Sequence, residues 1–95
     1  MEVSKANLVI SLAGRDKGQL FYVHHIDGQF AFLVNGKGRK LENPKRKKLI
    51  HVQKISWTDT RIAERIRSGS NVLNSELRRD LAVIGQQFKS HNQGG

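Results

Sequence analysis

Apolar and polar positions alternate at the start of the chain: Leu8, Ile10 and Leu12 fall on one side, and Val9, Ser11 and Ala13 on the other. A period of two predicts a strand with one buried face. "GRDKG", residues 14–18, interrupts the run as a turn, and "QLFYVHHI" resumes it with β-branched and aromatic residues. Asp27-Gly28 is a strong hairpin dipeptide. "QFAFLV" is a third strand closed by Asn35-Gly36, and "KLIHVQKIS", residues 48–56, reads as a fourth after a basic stretch containing Pro44. Strands this short, with turns this frequent, point to a small barrel, because closure hides strand edges.

Beyond Trp57 the apolar spacing lengthens. "TDTRIAERIRSG" offers Thr58 or Asp59 as an N-cap, Ile62 and Ile66 four apart, and Gly69 as a stop. In "NSELRRDLAVIGQQFK", Asn74 reads as an N-cap and Glu76 is placed favourably against the helix dipole. Leu77, Leu81, Ile84 and Phe88 form one apolar stripe. Gly85 lies within it at a cost of about 1 kcal/mol against alanine. "SHNQGG" reads as a disordered tail. Trp57, where strands give way to helix, reads as a plug for the open end of the barrel. The fold class is therefore mainly β, a small barrel of about five strands over residues 1–57. One or two C-terminal α-helices make up the extension 58–95.

Composition adds a partner to this picture. The chain has 95 residues, 17 Lys+Arg against 8 Asp+Glu, and a formal net charge of +9. Such an excess favours an anionic partner. The charge is uneven: residues 1–57 hold eleven cations and four acids, residues 58–95 six and four. No cysteine is present, which excludes disulfides and thiolate metal sites. The longest apolar run, Phe30–Val34, is far too short to span a bilayer. The N-terminus lacks a basic region followed by a sustained apolar core. A soluble, cytoplasmic protein is the expectation.

The turn at 14–18 needs positive φ, which glycine adopts without steric cost, and Gly14 and Gly18 supply it. Asp16 is expected to bond amides within the turn while Arg15 and Lys17 point outward. "VISLAGRDKGQLFYVHHIDGQFAFLVNGK", Val9 to Lys37, resembles the KOW motif, in which a hydrophobic strand leads into a G-x-D-x-G turn and a second hydrophobic strand. Through Asp27-Gly28, Asn35-Gly36 and "RKLENPKRKKLIHV", the run from about residue 5 to 54 resembles the KOW-containing large-subunit ribosomal proteins of archaea and eukaryotes and their short bacterial relatives. The resemblance implies an SH3-like five-stranded barrel that binds RNA, most often ribosomal RNA, with ribosomal proteins as further neighbours. It does not extend to residues 58–95.

"KGRKLENPKRKK", residues 37–48, carries seven cations against Glu42 alone. Gly36, Gly38 and Pro44 shape it as a connection between strands. Its uncompensated charge would repel itself without an anion nearby. Arg15, Lys17, Lys37, Arg39, Lys40, Lys45, Arg46, Lys47 and Lys48 are the expected contacts to RNA phosphates. Aromatic rings provide stacking platforms for bases. Of Phe21, Tyr22, Phe30 and Phe32, alternation assigns some to the core, and Tyr22 is the best exposed candidate for stacking. His24 and His25 are adjacent, so a strand sends them to opposite faces, and His51 and His91 lack ligand spacing; no metal site is expected. No catalytic constellation, cofactor motif or small-molecule cleft is evident. The leading expectation is a non-catalytic RNA-binding protein of the ribosome or translation. The alternatives are a protein-interaction module docking through the stripe Leu77/Leu81/Ile84/Phe88, and non-specific DNA binding.

Overall fold

Five strands, all paired antiparallel, make up the sheet in a computed structural model that describes the backbone of residues 2–55 and 60–93 and side chains as far as Gln87. The strands are β1 (Leu8–Ser11), β2 (Leu20–Asp27), β3 (Phe30–Val34), β4 (Lys45–Lys48) and β5 (Val52–Lys54). Their order across the sheet is β4-β3-β2-β1-β5. A single 3-10 turn, Leu49–His51, carries the chain from one end of that order to the other. The sheet is barrel-like but not closed, since no ladder joins β4 to β5 among the described residues.

The segment expected as one strand over 48–56 thus divides into the end of β4, the 3-10 turn and β5. The last third of the expected basic loop, Lys45–Lys48, is itself β4. "KRKK" contains no apolar residue to announce a strand, and its pairing partner β3 specifies it: Phe32 lies opposite Arg46 and Ala31 opposite Lys47.

Each face of the sheet carries a hydrophobic core. Val9, Phe21, Val23, Ala31, Leu33 and Val52 form the core on one face of the sheet. Leu8, Tyr22 and Val34 face the other way, onto the helices α1 (Arg61–Ser68) and α2 (Asn74–Gln93). Ile62, Ala63 and Ile66 of α1 and Leu77, Leu81 and Ile84 of α2 complete this second core. Burying a side chain of this size stabilises by about 1.5–3 kcal/mol, so the stripe is the main force docking α2. The stripe expected as an alternative docking face is therefore occupied by the protein's own sheet; the Phe88 side chain lies outside the described set.

Thr60 caps α1, its hydroxyl accepting from the Ala63 amide at 2.9 Å. The candidates Thr58 and Asp59, like Trp57, lie outside the described residues. Gly69 ends α1 with φ +79°, as the sequence predicts. Asn74 does not cap α2. Its amide side chain reaches the preceding connection, accepting from the Leu41 amide and donating to Glu42. Glu76 instead reaches back to accept from the Leu73 amide, half of a capping box, and pairs with Arg65 of α1 at 2.8 Å. α2 runs through Gly85 to Gln93, taking in residues 90–93 of the expected disordered tail.

Candidate nucleic-acid interface

The turn between β1 and β2 is built as its glycines require. Gly14 and Gly18 have φ of +87° and +88°, and the Gly18 amide donates to the Ser11 carbonyl at 2.8 Å. Asp16, at its centre, does not bond amides within the turn. The carboxylate is buried, accepts from the Ser11 hydroxyl at 2.7 Å, and meets two lysines of β4. Lys47 Nζ lies 2.5 Å from Oδ1 and Lys45 Nζ 2.7 Å from Oδ2. The Lys47 ammonium also donates to the Ala13 carbonyl at 2.7 Å. Burial alone would push the Asp16 pKa up, but the bonds to Lys45, Lys47 and Ser11 reverse this and hold it well below the usual carboxylate range.

This clamp corrects the expected role of one residue and qualifies another. Lys47 is only 8% exposed and is held on both sides by the turn, so it ties the fold together and does not present charge to a partner. Lys45 is half-buried in the same clamp. Alternation along β4 sends Arg46 and Lys48 to the opposite face, where both are exposed. "KRKK" is thus two inward structural cations interleaved with two outward ones.

Other cations expected at the interface lie in the glycine turn and in the connection after β3. Arg15 and Lys17 are exposed on either side of Asp16, and Lys37 and Lys40 are exposed in the connection between β3 and β4, with Arg39 half-buried between them. That connection is shaped, not slack. The Asn35 side chain accepts from the amides of Lys37 and Arg39, and Asn35 and Gly36 both donate to the Arg39 carbonyl. Gly36 sits so close to α2 that a Cβ there would lie 2.2 Å from the Asn74 carbonyl oxygen. Arg78 of α2 donates to the Gly36 carbonyl at 2.8 Å. Gly18, Gln19, Asn35, Lys37, Arg78 and Gly85 then line one open groove between turn, connection and helix. Arg78 is a groove-lining cation that the motif did not point to. Its signal was positional: it follows Leu77 of the buried stripe, and 78, 82 and 85 share one helix flank at offsets of four and three.

Tyr22 is a correction. It is fully buried, and its hydroxyl donates to Asp80 of α2 and lies 2.7 Å from the Thr60 hydroxyl. Because the one Tyr22 hydroxyl proton goes to Asp80, the Thr60 hydroxyl donates to the Tyr22 oxygen while accepting from the Ala63 amide. The resulting relay joins sheet, α1 and α2, and no base can reach the ring. Burial, aided by Asp80, raises the Tyr22 pKa above that of free tyrosine.

The two adjacent histidines also break expectation. A β-bulge between Val23 and His25 suspends the alternation, so the imidazoles meet with Nδ1 atoms 2.9 Å apart. Burial, then the neighbouring His25 and Lys5, lower the His24 pKa. Among the described residues, no three His, Asp or Glu side chains are grouped to hold a metal ion, and no helix is long and apolar enough to cross a membrane. No protein-family model matches this chain, and no curated protein matches it.

Proposed function

We propose that the chain is a non-catalytic RNA-binding protein of the KOW kind that works in the cytoplasm with the ribosome or the translation machinery, ribosomal RNA being its main partner. The observation that carries the reading is a groove where three separate segments meet: Lys37 of the connection after β3 and Arg78 of α2 line it with Gly18 of the glycine turn, whose neighbour Lys17 is exposed. The G-x-D-x-G turn, Gly14, Asp16 and Gly18, supports the same reading, since its acid fixes the turn against the cationic strand. A rigid array of ammonium and guanidinium groups engages several phosphates with little ordering on binding, which favours affinity for a folded polyanion.

Purification without nuclease tests this, followed by sedimentation with ribosomal subunits at low and at high salt. RNA should accompany the protein, and the protein should travel with subunits at low salt and leave them at high salt. Indifference to RNA at low salt would overturn the reading. Equal displacement by duplex DNA would reduce it to non-specific polyanion binding.

A further inference from the structure

The outward face of β2, β3 and β4 is organised differently from the rest of the sheet. His25, Phe32 and Arg46 form one row across the three strands, and Asp27, Phe30 and Lys48 the next. Neither Phe30 nor Phe32 belongs to either hydrophobic core, although the chain has only four phenylalanines. Both rings are half-buried. The His25 ring stacks on Phe32 at 4.2 Å and 9°, and the Arg46 guanidinium lies 4.6 Å over the Phe30 ring. Among the described residues, helices cover the neighbouring part of the same face, over Leu8, Tyr22 and Val34, and leave these two rows open.

Rings left outside a core, capped by a planar cation and flanked by a second cation, are suited to flat, electron-rich ligands on an anionic strand. We infer that this six-residue face is a stacking platform for unpaired bases of RNA, an inference that rests on the RNA-binding reading above and adds what part of the RNA is read. Bases stack on aromatic rings and on arginine planes, and the contact tolerates any sequence because every base has a π face. Charge fixes the orientation. Arg46 and Lys48 on the edge strand, neither paired with a carboxylate among the described residues, draw the phosphates to the β4 side. Asp27 on β2 repels them from the far side and stands ready to accept from an exocyclic amino group. The bases then lie across β3.

The test uses the full chain with two probes, a short unstructured RNA carrying 2-aminopurine and a fully paired RNA duplex of the same length. The unstructured RNA should bind more tightly, and its 2-aminopurine fluorescence should change as the base stacks. The double variant Phe30→Leu/Phe32→Leu should lose about tenfold or more in affinity for it, with duplex binding unchanged. Arg46→Lys, which keeps the charge and removes the plane, should lose part of the same preference. Neither ring is in a core, so thermal melts of the variants should match the parent. Equal binding of both probes, or variants with undiminished preference, would overturn the platform while leaving the RNA-binding reading standing. Failure of the parent protein to bind either probe at low salt would overturn both.

Discussion

At the scale of single residues, Asp16 does more than any other side chain to set what this molecule presents. Its one negative charge satisfies Lys45 and Lys47 and so decides which cations of β4 remain outward. Lys47→Gln removes the ammonium's bonds to the buried Asp16 carboxylate and to the Ala13 carbonyl and leaves Lys45 as the one cation on that acid, at a cost on the order of 3 kcal/mol. Lys47→Gln should therefore lower the melting temperature by roughly 15 °C for a domain of this size. Arg46→Gln, its exposed neighbour, should leave it nearly unchanged. A Lys47 variant as stable as the parent would refute the clamp. The same carboxylate sets a pH signature. Its folded pKa is depressed, so its stabilisation is complete above the unfolded value near pH 4 and is lost as pH falls through the folded value. Below about pH 4 this one group should contribute a loss of about 1.4 kcal/mol per pH unit, absent from Asp16→Asn. Urea titrations of both proteins over the acid range read the difference directly.

At the scale of elements, the helical extension is part of the domain that the strands build. Leu77, Leu81 and Ile84 share a core with Leu8, Tyr22 and Val34, and the Tyr22 hydroxyl is tied to Thr60 of the α1 cap and Asp80 of α2. The chain has one tyrosine, so the tyrosinate absorbance that appears on its ionisation reports this junction alone. Raised by burial and Asp80, the pKa of Tyr22 keeps the neutral ring up to higher pH than the value near 10 of a free tyrosine. The stabilisation it gives is intact below the unfolded value and is lost as pH rises through the folded one. Tyrosinate should therefore appear above pH 10, together with loss of the helical circular-dichroism signal; ionisation near 10 with the helices intact would mean that they do not cover the sheet. The same junction explains what could be read in advance. Turns were legible because Gly14, Gly18, Gly28 and Gly69 all take positive φ, a local demand met by a local residue. The stripe of α2 was legible from its spacing. The burial of Tyr22 was not, because alternation marks two faces of a strand without saying that helices cover the second. β4 was hidden for a related reason, since its lysines are ordered by an acid on another strand connection. The bulge beside His24 likewise has no sequence mark.

At the scale of the molecule, net charge and charge placement make different predictions. A protein carrying +9 binds a polyanion diffusely whatever its fold, and in that case every exposed cation counts alike. A built interface instead concentrates the effect where segments converge, at Lys17 beside Gly18 of the groove, at Lys37 and at Arg78. Each phosphate contact contributes roughly −0.7 to the slope of log affinity against log salt on single strands, and roughly −0.9 on B-DNA, which bracket a folded RNA. Lys17→Gln, Lys37→Gln and Arg78→Gln should each flatten the slope by about 0.7–0.9. Arg67→Gln, on the exposed flank of α1 with Arg61 and Glu64, removes the same charge away from the groove and should leave the slope unchanged. Because Arg78 also braces the Gly36 carbonyl, Arg78→Lys separates its two parts: the charge and slope return, while any loss from a loosened connection persists as weaker binding at every salt concentration. Equal flattening by Arg67→Gln and by the groove variants would mean that total charge, and not its arrangement by the fold, governs the association.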